Sequence, residues 1–331
     1  MLRSNCIYIL FLCAICVISC TPSSEDTAPF EIVKSDINAY KALNEELAAY
    51  DYSFKSNIQI PQTRGKIWNK IRGFLLADAG GFLLGSTFGP IGGLWAAIFG
   101  SAVGGPVFAE TLYSETNSGN AECPVAVTDS TTTGIVKPPY SATTNSLPSE
   151  VEKGNGSDAE AVSYWDIEVH CYNYATDSGY GYLHNRILSD IETENPGIYV
   201  QSNDNSAMVG SLISTVMKRY DYNVSPSDKV ACEIKWNEIL QECRSGMSEN
   251  ELVVCLKKFM PDYEYDISII NDFAANIEVL VDNPNELKNY LNGYLQIISN
   301  SALNQSQKDI LSQSIEIAAN SALLWSVVEK E

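Results

Sequence analysis

Apolar positions fall at helical spacing over most of the second half of the chain. Ile270, Phe273, Ile277 and Leu280 line one face. Leu287, Leu291, Tyr294 and Ile298 line the next, and Leu311, Ile315, Ala318, Ala322 and Trp325 the last. Steps of three and four residues put each set on one side of a helix, where it can be buried while the rest stays in water. Helix starts are well marked. Ser225-Pro226 places a cap before Pro at the first helical position, and Ser248 to Glu251 is a capping box. Asn283 to Glu286 and Asn304 to Gln307 repeat that pattern. Earlier in the chain, Ile37, Tyr40, Leu43 and Leu47 predict an amphipathic helix over about residues 32 to 50. Strand alternation of comparable length is lacking, with Tyr164 to Val169 the stretch open to an extended reading. The pattern predicts an all-α protein.

Two stretches depart from this pattern. Gly73 to Ala109 holds one charge, Asp78, and ten of the 21 glycines. Gly81, Gly85, Gly89 and Gly93 recur every four residues, and Ala97, Ser101 and Gly105 continue the register. That spacing lines small residues along a helix face and lets two backbones approach closely. Gly89-Pro90 divides the run into arms of 17 and 19 residues, roughly 25 and 28 Å long as helix. The expected construction is a helical hairpin with its tip at Gly89-Pro90-Ile91-Gly92. Each arm nearly matches a hydrocarbon core of about 30 Å. Arg64 to Arg72 precedes it with four positive charges and Trp68, a composition suited to an anionic interface. Two readings follow: a hairpin in or on a bilayer, or one folded against the helical domain of a soluble protein. Beyond it, Ser, Thr, Pro, Gly and Asn fill 26 of the 47 positions from 114 to 160. Such a stretch cannot bury enough apolar surface to offset its ordering entropy, so it reads as a disordered linker. The expected C-terminal helical bundle, 161–331, would then fold alone.

The N-terminus carries Arg3, a mostly apolar run from Ile7 to Ile18, and then Cys20. This is a secretory signal, too short for a comfortable membrane span. Val17-Ile18-Ser19-Cys20 resembles the lipobox of bacterial lipoproteins, with Val in place of the usual Leu. The resemblance implies cleavage before Cys20 and acylation, palmitate included, of that residue. Several acyl chains on one residue give stable anchoring where one would be marginal. Thr21 to Pro29 reads as the polar tether behind the anchor, and no Asp follows Cys20. The implied address is the bacterial outer membrane, with the leaflet open. The segments expected are a signal peptide (1–19), a lipid-anchored tether (20–30), the amphipathic helix plus hairpin (31–112), the linker (113–160) and the helical domain (161–331).

The glycine segment resembles the glycine zippers of bacteriocin-like membrane-inserting peptides over about 40 residues. That resemblance implies self-association through the glycine face at a membrane, and permeabilisation. Gly179 to Leu188 is similar to an element of uncharacterised secreted proteins of Gram-negative gut bacteria, which carries no activity with it. His184 within it is a candidate acid/base near Asp190 or Glu192, or a helix-start residue capping backbone; the second reading is favoured because no partner motif accompanies it.

Composition narrows the functions. The chain has 331 residues and a net charge of −20, so it is a poor candidate for binding nucleic acid. Two His, no phosphate loop and no calcium-loop motif leave no catalytic residue, cofactor or metal to assign. Asp26-Thr27-Ala28 and Asp129-Ser130-Thr131 resemble periplasmic O-glycosylation sites. Cys123, Cys171, Cys232, Cys243 and Cys255 follow the anchor cysteine. Cys243 and Cys255 straddle a turn at Gly246 and are a candidate disulfide. The alternative is that the three thiols of that hairpin stay buried and reduced. The expected function is a cell-envelope lipoprotein with a structural or interaction role and a membrane-associating hairpin, its lipid contact made through Cys20 and its protein partner unknown. The alternative is a membrane-permeabilising effector.

Overall fold

A computed structural model describes residues 37–56, 66–118, 175–176, 178–196, 198, 206–243 and 247–327. The signal, the lipobox, Cys20, the tether, most of the linker and Tyr164 to Val169 lie outside the described residues. The described residues all fall in one compact unit, 35–331. They form helices, with no strand among them.

Helix α1 (Ile37–Ser56) buries Tyr40, Leu43 and Leu47 as their spacing predicts, while Ile37 at its first position is exposed. Helices α2 (Lys66–Ser86) and α3 (Pro90–Phe99) are the hairpin arms. Between them Phe88 N–H bonds Gly85 O and Gly89 N–H bonds Ser86 O, each at 2.9 Å. Gly89 sits at φ +84°, a conformation that disfavours a Cβ, and Pro90 starts α3 with its φ already set. The tip is therefore where Gly89-Pro90 places it. Helix α3 runs through a π-helical turn, Gly100–Gly104, into α4 (Gly105–Ser118). Helix α4 thus carries six residues past the expected start of the linker.

The C-terminal elements are α5 (Gly179–Glu194), α6 (Ser206–Met217), α7 (Pro226–Glu242), α8 (Glu249–Phe259), α9 (Glu264–Asn276), α10 (Pro284–Asn300) and α11 (Gln305–Val327). Their starts use the predicted caps. Ser225 Oγ accepts from Asp228 N–H, Ser248 and Glu251 bond reciprocally, and Asn304 and Gln307 do the same. Each such cap is worth roughly 1 kcal/mol of helix stability.

The glycine hairpin is the centre of this body, and α5, α6, α7, α9 and α11 pack against it. Helix α11 packs along α2, with Phe74 stacked on Trp325 at 4.0 Å between ring centroids. Helix α6 meets α3 where Trp95 Nε1 donates to Ser214 Oγ at 3.2 Å. Helix α7 meets α3 through Trp236, and α1 closes over α9 and α10 through Tyr40 and Tyr50. The hairpin and the helices beyond residue 161, expected as separate segments, lie in one compact unit. Leu75, Trp95, Phe99 and Phe108 share one core with Ile270, Leu291 and Leu311. The C-terminal stripes bury themselves against the hairpin, which removes apolar surface of both from water.

Two residues of the basic run, Trp68 and Arg72, face the body. Trp68 is buried. Arg72 ion-pairs with Glu249 of α8, and its Nη2 donates to Asn271 O of α9 at 3.1 Å.

Candidate functional site

Small residues let the two arms approach backbone to backbone. A Cβ built on Gly81 would stand 2.4 Å from Ala96 O, and one on Gly85 would stand 2.3 Å from Gly92 O. Gly93 instead makes room for the Phe82 ring, and Gly89 is the turn. The four glycines therefore do not form one continuous face for a second copy of the chain. The turn interrupts the period, and the arms spend their smooth faces on each other.

Farther along, the missing side chains of Gly100 and Gly104 are replaced by the indole of Trp236, 2.7 and 2.8 Å from the positions their Cβ atoms would take. Trp236 Nε1 donates to Ala96 O at 3.2 Å, just before the π turn. A widened turn rearranges the carbonyl ladder, and the indole N–H supplies a donor there.

The single charge of the apolar stretch is the second feature. Asp78 is wholly buried. Ser101 on the opposite arm donates to its Oδ1 at 2.5 Å, and Ser321 and Trp325 of α11 donate to Oδ2 at 2.5 and 3.4 Å. His184 approaches from α5, its Nε2 at 3.7 Å from Oδ2 and without a hydrogen-bond partner. Burial pushes the Asp78 carboxyl up, while His184 and the three donors pull it down. His184 thus faces neither Asp190 nor Glu192, and it caps no backbone. Its Nδ1 lies 3.1 Å from Asn185 Oδ1, whose amide nitrogen donates to Asn320 O of α11. Asp190 is engaged elsewhere, by Tyr220 and Arg186. The Asp78 cluster ties α2, π turn, α5 and α11 at one point. The lone charge is plain in the sequence but its partners are not, the farthest being 247 positions away.

The third feature is an apolar pocket of about 360 Å³ beside the hairpin tip. Leu84, Phe88, Ile234, Phe259, Met260 and Tyr263 line it, and Cys232 closes its wall. Phe88 is 40% exposed and Ile234 53% exposed. Among the described residues, no group of three or more His, Cys, Asp or Glu could hold a metal ion.

Two more acids, buried Asp266 and part-buried Glu316, form no ion pair among the described residues. Asp266 accepts the Tyr40 hydroxyl on both oxygens at 2.9 Å, and burial pushes it up to about 7. Glu316 is likewise pushed up to about 7 by burial. Between their ordinary values, 3.8 and 4.5, and about 7, the folded chain holds protons that the unfolded chain has released. This stabilisation is complete below pH 4 and is lost as pH rises through 7. The thermal midpoint should therefore be higher at pH 5 than at pH 8. The change corresponds to roughly 2–4 kcal/mol for Asp266. Circular dichroism melts at the two pH values check this. Asp266→Asn should flatten the difference, and a midpoint that falls on acidification to pH 5 would contradict the assignment.

Compared with known proteins, the chain matches no family model, no curated relative and no solved structure.

Proposed function

We propose that this protein is a cell-envelope lipoprotein of the bacterial outer membrane, with a structural or interaction role. Acyl chains on Cys20 hold it to the bilayer. The observation that supports this reading is the burial of the glycine hairpin. Among the described residues Pro90–Leu112 is the helical stretch long and apolar enough to cross a membrane, yet 83% of its apolar window is buried inside the body. With the hairpin occupied as core, attachment falls to the lipid. The test is Cys20→Ala. The variant should move from the membrane fraction to the carbonate-soluble fraction and lose radiolabelled palmitate incorporation. A variant that still pellets would overturn the anchoring role.

A membrane-permeabilising role is the second reading. The hydrogen bond of Ser101 to Asp78 favours it, because it closes between the two arms and would leave with them. Permeabilisation requires the hairpin to come out of the body. Soluble Cys20→Ala protein added to dye-loaded anionic vesicles separates the readings. Leakage supports the effector, and its absence supports the structural role.

A further inference from the structure

Helix α7 ends at Cys243, and Cys255 lies in the second turn of α8. The two sulfurs are 4.0 Å apart, in van der Waals contact, and neither is bonded to another cysteine. Both residues are buried. The Ser248 capping box fixes the direction of α8, and Lys258 bonds Glu242 at 2.8 Å, so the two helix ends are held face to face beside the thiols.

We propose that Cys243 and Cys255 are a dithiol–disulfide pair, oxidised by exchange with an external disulfide, and that the bond locks α7 and α8 as a clamp over the glycine hairpin. The pair is asymmetric. The two sulfurs share one S–H···S contact, and that contact, with Lys258 held beside it by Glu242, favours the thiolate at Cys255. Cys255 is therefore the attacking thiolate. It displaces one sulfur of the external disulfide as a thiolate, which takes a proton from water, and a mixed disulfide forms. Cys243 then gives its proton to water, and its sulfur attacks Cys255 Sγ and expels the second thiolate. Two protein thiols are oxidised and one carrier disulfide is reduced to two thiols.

Cys232 supplies the contrast. It lies within α7, more deeply buried than either of the pair, on the wall of the apolar pocket, and burial with Asp228 and Glu233 pushes its thiol up to about 12. It should remain reduced. The clamp matters because α7 carries Trp236, which fills the notch of Gly100 and Gly104. Closing the bond ties that indole's helix to α8, which is held in turn to α2 through Glu249 and Arg72. The inference rests on this geometry and not on the envelope reading.

The full chain is incubated at pH 8 with oxidised glutathione, both folded and during refolding, then alkylated and digested with trypsin. The expected product is peptide 236–244 joined to peptide 245–257, with the alkyl group on Cys232 in peptide 230–235. The oxidised protein should melt roughly 5–10 °C above the reduced one. Cys243→Ser and Cys255→Ser should each abolish that shift, and Cys232→Ser should keep it. Both cysteines fully alkylated under both regimes, or either one joined to Cys232, would overturn the proposal. Because mass mapping uses the wild-type chain, a serine variant that fails to fold leaves the test intact.

Discussion

Gly85→Leu should unfold the helical body, while Ala at the glycine five positions earlier should strengthen it. The space beyond Gly85 is occupied by main chain: Gly92 O is 2.3 Å and Ala96 Cβ 2.6 Å from where its Cβ would stand. Neither atom is the end of a flexible side chain, so the arms must separate. Their separation opens the centre of the core, where Phe82, Leu83 and Leu94 are fully buried. Overpacking a core commonly costs about 1–3 kcal/mol, and displacing two helices should exceed that range. More than about 4 kcal/mol is expected, comparable to the whole stability of a marginal domain. Gly80 stands on the same helix, but its Cβ would meet Met260 Cε at 3.9 Å, an ordinary contact. Gly80→Ala should therefore gain most of the roughly 1 kcal/mol by which Ala exceeds Gly in a helix. Urea denaturation of both variants against wild type measures the two signs. If Gly85→Leu unfolded at the wild-type midpoint, the arms would not be packed backbone to backbone.

Asp78→Ala should cost about 3–5 kcal/mol, the range found when one partner of a buried charged network is removed. Ala leaves the Ser101 and Ser321 hydroxyls and the Trp325 indole, all buried, without the acceptor they share. Asp78→Asn keeps an acceptor and offers an amide, and should cost clearly less. The measurement is the denaturant midpoint, with near-ultraviolet dichroism reporting Trp325. If Ala and Asn destabilised equally, the cluster would be a matter of shape, not of hydrogen bonds. Asp78 and Ser101 lie on the two hairpin arms and their outer partners on α5 and α11, so the cluster specifies how the hairpin seats in its wrapping.

This seating bears on how the hairpin could leave. Asp266 and Glu316 should make the body more stable on acidification toward pH 5, so mild acid should not loosen it. An opening of the α7–α8 clamp would act at the right place, since Trp236 is the side chain lodged against Gly100 and Gly104.

The all-α class, the helix starts and the hairpin tip were legible because each is set within a few residues. A Ser or Asn reaches an amide three positions on, and Gly89-Pro90 supplies a positive φ followed by a preset one. The closeness of Cys243 and Cys255 was legible for a similar reason, since a short turn between two helices brings their ends together. What the glycine face touches was not legible. A run of Gly, Ala, Leu and Phe with one charge satisfies a bilayer and a protein core alike, because both are apolar and dry. The amphipathic stripes of α5 to α11 are buried against that run and not against each other alone, a matter of tertiary packing and not of local spacing. The partners of Asp78 and the ion pair of Arg72 with Glu249 were hidden for the same cause. They join positions 23 to 247 residues apart, and no local spacing encodes which helix comes to rest beside which.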